Sequence, residues 1–146
     1  NYVDSLSDLL DQVGLQFVQN VADRLTEKIT GIDGDEALMA FAQEFRAACV
    51  HHRGLAPLLL DLNDNLRIPR SRKAIVQLYQ DMFKPLQLDD SARVENTLYR
   101  STLFGFIIQE IGGFFKMQGA ELDERFTKVM QLAIDQTHLP ADDAKN

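Results

Sequence analysis

The sequence predicts an all-α protein, an antiparallel helical bundle of about five long helices plus one short helix. Three observations carry that reading. Apolar residues recur every three or four positions in each long segment between glycine and proline breakers, and no stretch alternates apolar with polar as a half-buried strand would. The third is Arg100 to Phe115, RSTLFGFIIQEIGGFF, a run that is apolar on nearly every side. A helix apolar all round must be covered all round, and this run falls short of the roughly 20 apolar residues that cross a bilayer. It reads as the central helix, with a second subunit as the cover for its outer part.

The first helix is capped by Ser5 or Ser7, with Asp8 in the first turn where the helix dipole favours an anion. Leu6, Leu9, Leu10, Val13, Phe17, Val21, Leu25 and Ile29 follow at helical spacing. The helix should run to about Thr30, roughly 35 Å, before Gly31 and Gly34 break it. A second helix starts at Asp35, carries Leu38, Phe41, Ala42, Phe45, Ala48, Cys49 and His52 on one face, and stops at Gly54. LAPLLLDL forms a short helix with Pro57 in its first turn, where the missing N–H costs least. Past Pro69 a third long helix presents Ile75, Leu78, Tyr79, Met82 and Phe83 until Pro85 ends it. Asp89, Asp90 or Ser91 caps the central helix, which runs to Gly112 or Gly113. The last helix starts after Asp123 with Phe126, Val129, Met130, Ala133 and Ile134 on one face, and the tail PADDAKN is polar.

A chain of 146 residues fits one domain, or one domain of a longer protein, and its 45% hydrophobic content is enough for a core. The net charge of -7 argues against a grip on a phosphate backbone. Arg67, Arg70, Arg72 and Lys73 form the one basic cluster, read as a solvated loop and helix start because no aromatic residue is interleaved for base stacking. Cys49 is alone, so no internal disulfide forms, which fits a reducing, cytoplasmic setting. The opening NYVDSLSDLLDQ has neither an initiator Met nor a signal-peptide pattern, and reads as a piece whose natural start lies upstream.

Glu110 is the side chain that demands an explanation, since a buried carboxylate without a donor is costly. It either anchors a polar group of a ligand in an apolar pocket or bonds to a neighbouring helix or a second subunit. Ser101, Gly105, Ile108 and Gly112 recur at spacings of four and three, a stripe that lets two helices approach closely. That stripe is either a dimer seam or close packing within one subunit. The opposite stripe, Tyr99, Leu103, Phe106 and Glu110, faces the interior with Phe17 and Val21 of the first helix and Tyr79 and Phe83 of the third, as core or as ligand contacts. His51 and His52 point about 100° apart on a helix and cannot chelate one metal together. DLNDN at Asp61 to Asn65 lacks the glycine and closing glutamate of a calcium loop, Leu66 and Arg72 standing there instead. No catalytic motif or cofactor motif is present, and neither enzyme activity, metal nor cofactor is expected.

The chain resembles the C-terminal effector-binding and dimerisation domain of TetR-type transcriptional regulators, in particular the WHG-type variants. Arg100, Gly105, Phe106, Glu110, Gly113 and Phe115 match that family's spacing of an Arg, a Gly-Phe pair, a Glu and a Gly-x-Phe. Asp123, Glu124 and Phe126 match its Asp-Glu-x-Phe, and His52, Gly54, Leu55 and Ala56 its His-Pro-Gly-Leu segment. Tyr2, Val3, Ser5, Leu9 and Leu10 fall in the register of the seam that joins the DNA-reading helix to the first effector helix. Phe104, Gln109 and Arg53 depart from the family's usual His, Leu and Pro, and the chain has no Trp.

The resemblance implies a division into residues 1–4, the end of a helix-turn-helix domain missing here, residues 5–139, the sensing and dimerising domain, and a polar tail 140–146. It implies a homodimer, its seam formed by Ser101, Gly105, Ile108 and Gly112 with Phe126, Val129, Met130 and Ala133 of the last helix. A small apolar effector would bind among the first four long helices, touching Phe17, Val21, Tyr79, Phe83, Tyr99, Leu103, Phe106 and Glu110, with His52 at the inner end. DNA would be bound through the missing domain, not this chain, most often as a repressor, and no membrane is involved. A ligand-free helical dimerisation or interaction domain is the alternative.

Overall fold

The computed structural model describes residues 2–60, 72–86 and 93–137, and every regular element among them is helical. They are α1 (Tyr2–Ile29), α2 (Gly34–His51), the short α3 (Pro57–Leu60), α4 (Arg72–Phe83) with a 3-10 turn at Lys84–Leu86, α5 (Val94–Ile111) and α6 (Gly119–Thr137). No described helix is long and apolar enough to cross a membrane. α1 packs against α2 and α4, while α5 and α6 pack against each other and both against α2. α2 is thus the helix shared by both halves of the bundle.

The helix boundaries differ from expectation where caps were used to place them. α1 is already helical at Tyr2, ahead of Ser5 and Ser7, so residues 2–4 continue the helix rather than precede it. α2 ends at His51, three residues before Gly54, as His52 leaves helical geometry while its N–H still bonds the Ala48 carbonyl. Pro85 does not end α4 abruptly. The chain tightens into a 3-10 turn, where a residue lacking an N–H is tolerated. α6 begins at Gly119, four residues ahead of Asp123. Gly119 takes φ 62°, a left-handed conformation glycine adopts without strain, and Glu121 supplies the anion of the first turn. The expected α5 caps Asp89, Asp90 and Ser91, the DLNDN segment and the tail lie outside the described residues, and Arg93 stands at the cap of α5.

α5 stops as its sequence requires. The Phe114 N–H bonds the Gln109 carbonyl at 3.0 Å and the Gly113 N–H bonds the Glu110 carbonyl at 3.1 Å, with Gly113 at φ 76°. This is the Schellman pattern, which satisfies carbonyls that a helix end leaves open. The short turn then sends α6 back alongside α5.

The core is built from one face of each long helix. Phe17, Val18, Val21 and Leu25 of α1 meet Leu38, Phe41, Phe45 and Cys49 of α2, then Met82 and Phe83, and beyond them Tyr99, Leu103, Phe106, Ile107, Phe126, Met130 and Ile134. Aromatic rings fill its middle: Phe41 lies 5.0 Å from Phe83, and Phe45 stacks on Phe104 at 5.5 Å. The Tyr99 hydroxyl donates to the Leu38 carbonyl at 2.6 Å, which meets the polar need of a fully buried phenol, and burial raises its pKa.

Cys49 is buried and burial pushes its thiol up to about 12, from an ordinary 9.0. The unfolded chain therefore loses this proton first, and between pH 9 and 12 the folded state holds more protons than the unfolded. Stability must fall as pH rises through that window, by at most about 1.4 kcal/mol per pH unit. Urea unfolding at pH 8, 9 and 10 is expected to show the decline beginning above pH 9, with a shallower slope in Cys49→Ala. An equal slope in both proteins would refute the assignment.

Candidate functional site

The strongest polar feature of the interior is a clasp around Arg46. The residue sits on α2 one position after the buried Phe45, so its stem runs along the core while its guanidinium reaches the α5–α6 hairpin. Its Nε donates to Glu110 Oε1 at 2.7 Å and its Nη2 to Oε2 at 3.0 Å, a two-pronged pair. Its Nη1 donates to Asp123 Oδ1 at 2.8 Å. The guanidinium carbon also lies 4.9 Å from the centre of the Phe126 ring and 5.8 Å from that of Phe106, distances at which a ring face attracts a cation. Burial works against the charge of Arg46, but the hydrogen bonds and charges of Glu110 and Asp123 outweigh it and raise its pKa. The side chains are 14% exposed for Arg46, 8% for Glu110 and 67% for Asp123, so the pair with Glu110 is shielded and the bond to Asp123 is wet.

Glu110 therefore faces a neighbouring helix of its own subunit. Of the two readings open from the sequence, the structure supplies the partner named by the second. Sequence reasoning missed Arg46 and treated Asp123 only as a helix start. The signal available was an arginine directly after Phe45 on the apolar side of α2, a position that requires an acidic partner elsewhere in the chain.

The other residues expected at a ligand are mostly core. Phe17, Val21, Phe83, Tyr99, Leu103 and Phe106 are all buried and packed against other side chains. His52 is exposed beyond the end of α2, its ring 5.4 Å edge-on from Phe17, so it does not line an inner end of the core. The side chain of Tyr79 lies outside the described residues. Open grooves among the described residues are lined by other side chains. One of about 690 Å³ runs between α1 and α4, walled by Gln12, Leu15, Gln16, Gln19, Ala74, Gln77 and Leu78. Another, about 430 Å³, lies beside the α1–α2 turn against Ile29, Ile32, Leu38 and Leu86.

The expected dimer residues divide into two groups. Phe126, Met130 and Ala133 are buried in the chain's own core, because they occupy the face of α6 turned toward α2 and α5, and Val129 is half-buried. Those three hold α6 in place and present nothing to a second copy. Ser101 and Gly112 are exposed, Gly105 is half-buried and Ile108 is 52% exposed, all on the side of α5 opposite Tyr99, Leu103 and Ile107. Val94 at 78% and Leu98 at 41% extend the same stripe toward the start of the helix. A Cβ placed on Gly105 would meet no atom of this chain within 4 Å. Close packing inside the subunit therefore does not account for a glycine in the middle of a helix, where it costs about 1 kcal/mol relative to alanine.

Together these features define an all-helical bundle with a clasped interior and one exposed, small-centred helix face. No protein-family model, curated protein or solved structure matches the chain.

Proposed function

We propose that this chain is the effector-sensing and dimerising domain of a TetR-type transcriptional regulator, most often a repressor. The observation that carries the dimerising half is the exposed α5 stripe with its unobstructed Gly105. An uncovered apolar stripe favours a partner, and small residues at its centre admit a helix backbone at short range. The sensing half rests on the sequence resemblance; along α1 a groove of about 690 Å³ lies open between Leu15, Leu78 and the glutamines 12, 16, 19 and 77. A ligand there would bias the tilt of α1. In the proposed regulator that tilt sets the separation of two recognition helices, which must meet major grooves roughly 34 to 36 Å apart. DNA would be gripped by a helix-turn-helix domain outside this chain, in keeping with the charge of -7 here.

A second reading, a helical dimerisation domain without a ligand, is favoured by the Arg46 clasp, since Glu110 already has its donors. Native mass spectrometry of the purified chain separates the two. A dimer carrying a co-purified or added apolar small molecule is the expected result. A dimer that takes up none, with no thermal shift across a panel of such molecules, leaves the second reading in place. A monomer at tens of micromolar removes both.

A further inference from the structure

We infer that the groove between α1 and α4 takes an uncharged, largely apolar molecule that carries a cyclic amide, an N–H and a C=O side by side on one edge. This rests on the sensing reading above and names its ligand class. Four of the seven side chains lining the groove are primary amides, Gln12, Gln16 and Gln19 on α1 and Gln77 on α4, and none is charged. Leu15 and Leu78, both half-buried, supply apolar surface between them. A neutral lining of this kind leaves a charged ligand without a counter-charge to offset its desolvation. A purely apolar ligand would cover the amides and leave their donors and acceptors without water or partner.

Three of the amides are already oriented. Gln16 Nε2 donates to Asn20 Oδ1 at 2.8 Å, Gln19 Nε2 to Asp23 Oδ1 at 2.9 Å and Gln77 Nε2 to Asp81 Oδ1 at 3.0 Å, each one turn along its own helix. A carboxylate only accepts, so the atoms that Gln19 and Gln77 turn to Asp23 and Asp81 must be their nitrogens. Each amide then keeps its carbonyl oxygen and a second N–H for a ligand. An acceptor beside a donor in one plane is matched by a donor beside an acceptor, and a side-chain amide takes up the edge of a nucleobase in this way. A cyclic amide presents that pair in fixed geometry, so both bonds form without ordering a rotor. Asp23 and Asp81, one turn from the lining glutamines, disfavour a carboxylate ligand.

Equilibrium dialysis of the purified chain against carbostyril, a bicyclic molecule with one cyclic amide edge, tests this. Carbostyril should bind, and N-methylcarbostyril, which has the same rings without the N–H, should bind about 10-fold more weakly, with naphthalene and naphthoate at least as weak. Gln19→Leu combined with Gln77→Leu keeps the approximate volume and the helix preference of glutamine but not its amide. That variant should weaken carbostyril about 10-fold and bind naphthalene as tightly as the parent or more so, with helix content unchanged. If N-methylcarbostyril or naphthalene matched carbostyril, or if the variant bound carbostyril like the parent, the ligand class would be overturned and the sensing reading left standing on an apolar ligand. Failure of the parent to take up either carbostyril or the smaller pyridone also overturns the class, and the wider panel above then decides the sensing reading separately.

Discussion

Replacing Arg46 with Met is expected to destabilise the fold by about 3 kcal/mol, a lower midpoint in urea without a change in helix content at zero denaturant. The cost comes from what stays behind: Glu110, 8% exposed, loses both donors and keeps a carboxylate in a nearly dry site. Asp123→Asn should cost far less, because its side chain is 67% exposed and water replaces the bond. Arg46→Met combined with Glu110→Leu should cost less than the sum of the single changes, since the pair is removed together and no charge is stranded. If Arg46→Met and Asp123→Asn proved equally mild, the clasp would not hold α2 to the α5–α6 hairpin.

The second large effect is on assembly. Ile108→Arg places a charge on the exposed stripe of α5, outside the core, so the variant should fold with the parent's helix content. In a two-fold dimer each copy would bring its own Ile108 to the contact, and the substitution should raise the dimer dissociation constant on the order of 100-fold, about 2.8 kcal/mol. Sedimentation velocity over a concentration series reads this directly. An unchanged dimer would move the interface away from α5.

The two predictions separate the roles of α5. One side, through Tyr99, Leu103, Phe106 and Glu110, is committed to the interior and to Arg46. The other, through Leu98, Ser101, Gly105 and Ile108, is open. The sequence predicted a helix covered on every side, and within the chain it is covered on one. The remaining face is where the proposed partner would sit.

Helix existence and helix faces were legible because they are local. The recurrence of Phe17, Val21 and Leu25, or of Tyr99, Leu103 and Phe106, at three- and four-residue spacing places those side chains on one side of a helix whatever it later meets. Helix starts were less legible. Asp123 has the chemistry of a cap, yet it lies four residues inside α6 and bonds Arg46, because a carboxylate near a helix start serves equally as a tertiary partner. The division of α6 was also hidden: Phe126, Met130 and Ala133 lie on an apolar face that suits a dimer as well as a core, and only the packing of α2 assigns them to the core.

By itself, the sequence determined that this protein is helical, which residues share a face, and that Glu110 needs a donor, since each follows from spacing or from the cost of burying a charge. The tertiary structure alone decided that the donor is Arg46, 64 residues away in the chain, and that the space beside Gly105 is empty of the chain's own atoms. Both are facts of distance between helices, and the spacing of residues within a helix carries no record of its neighbour.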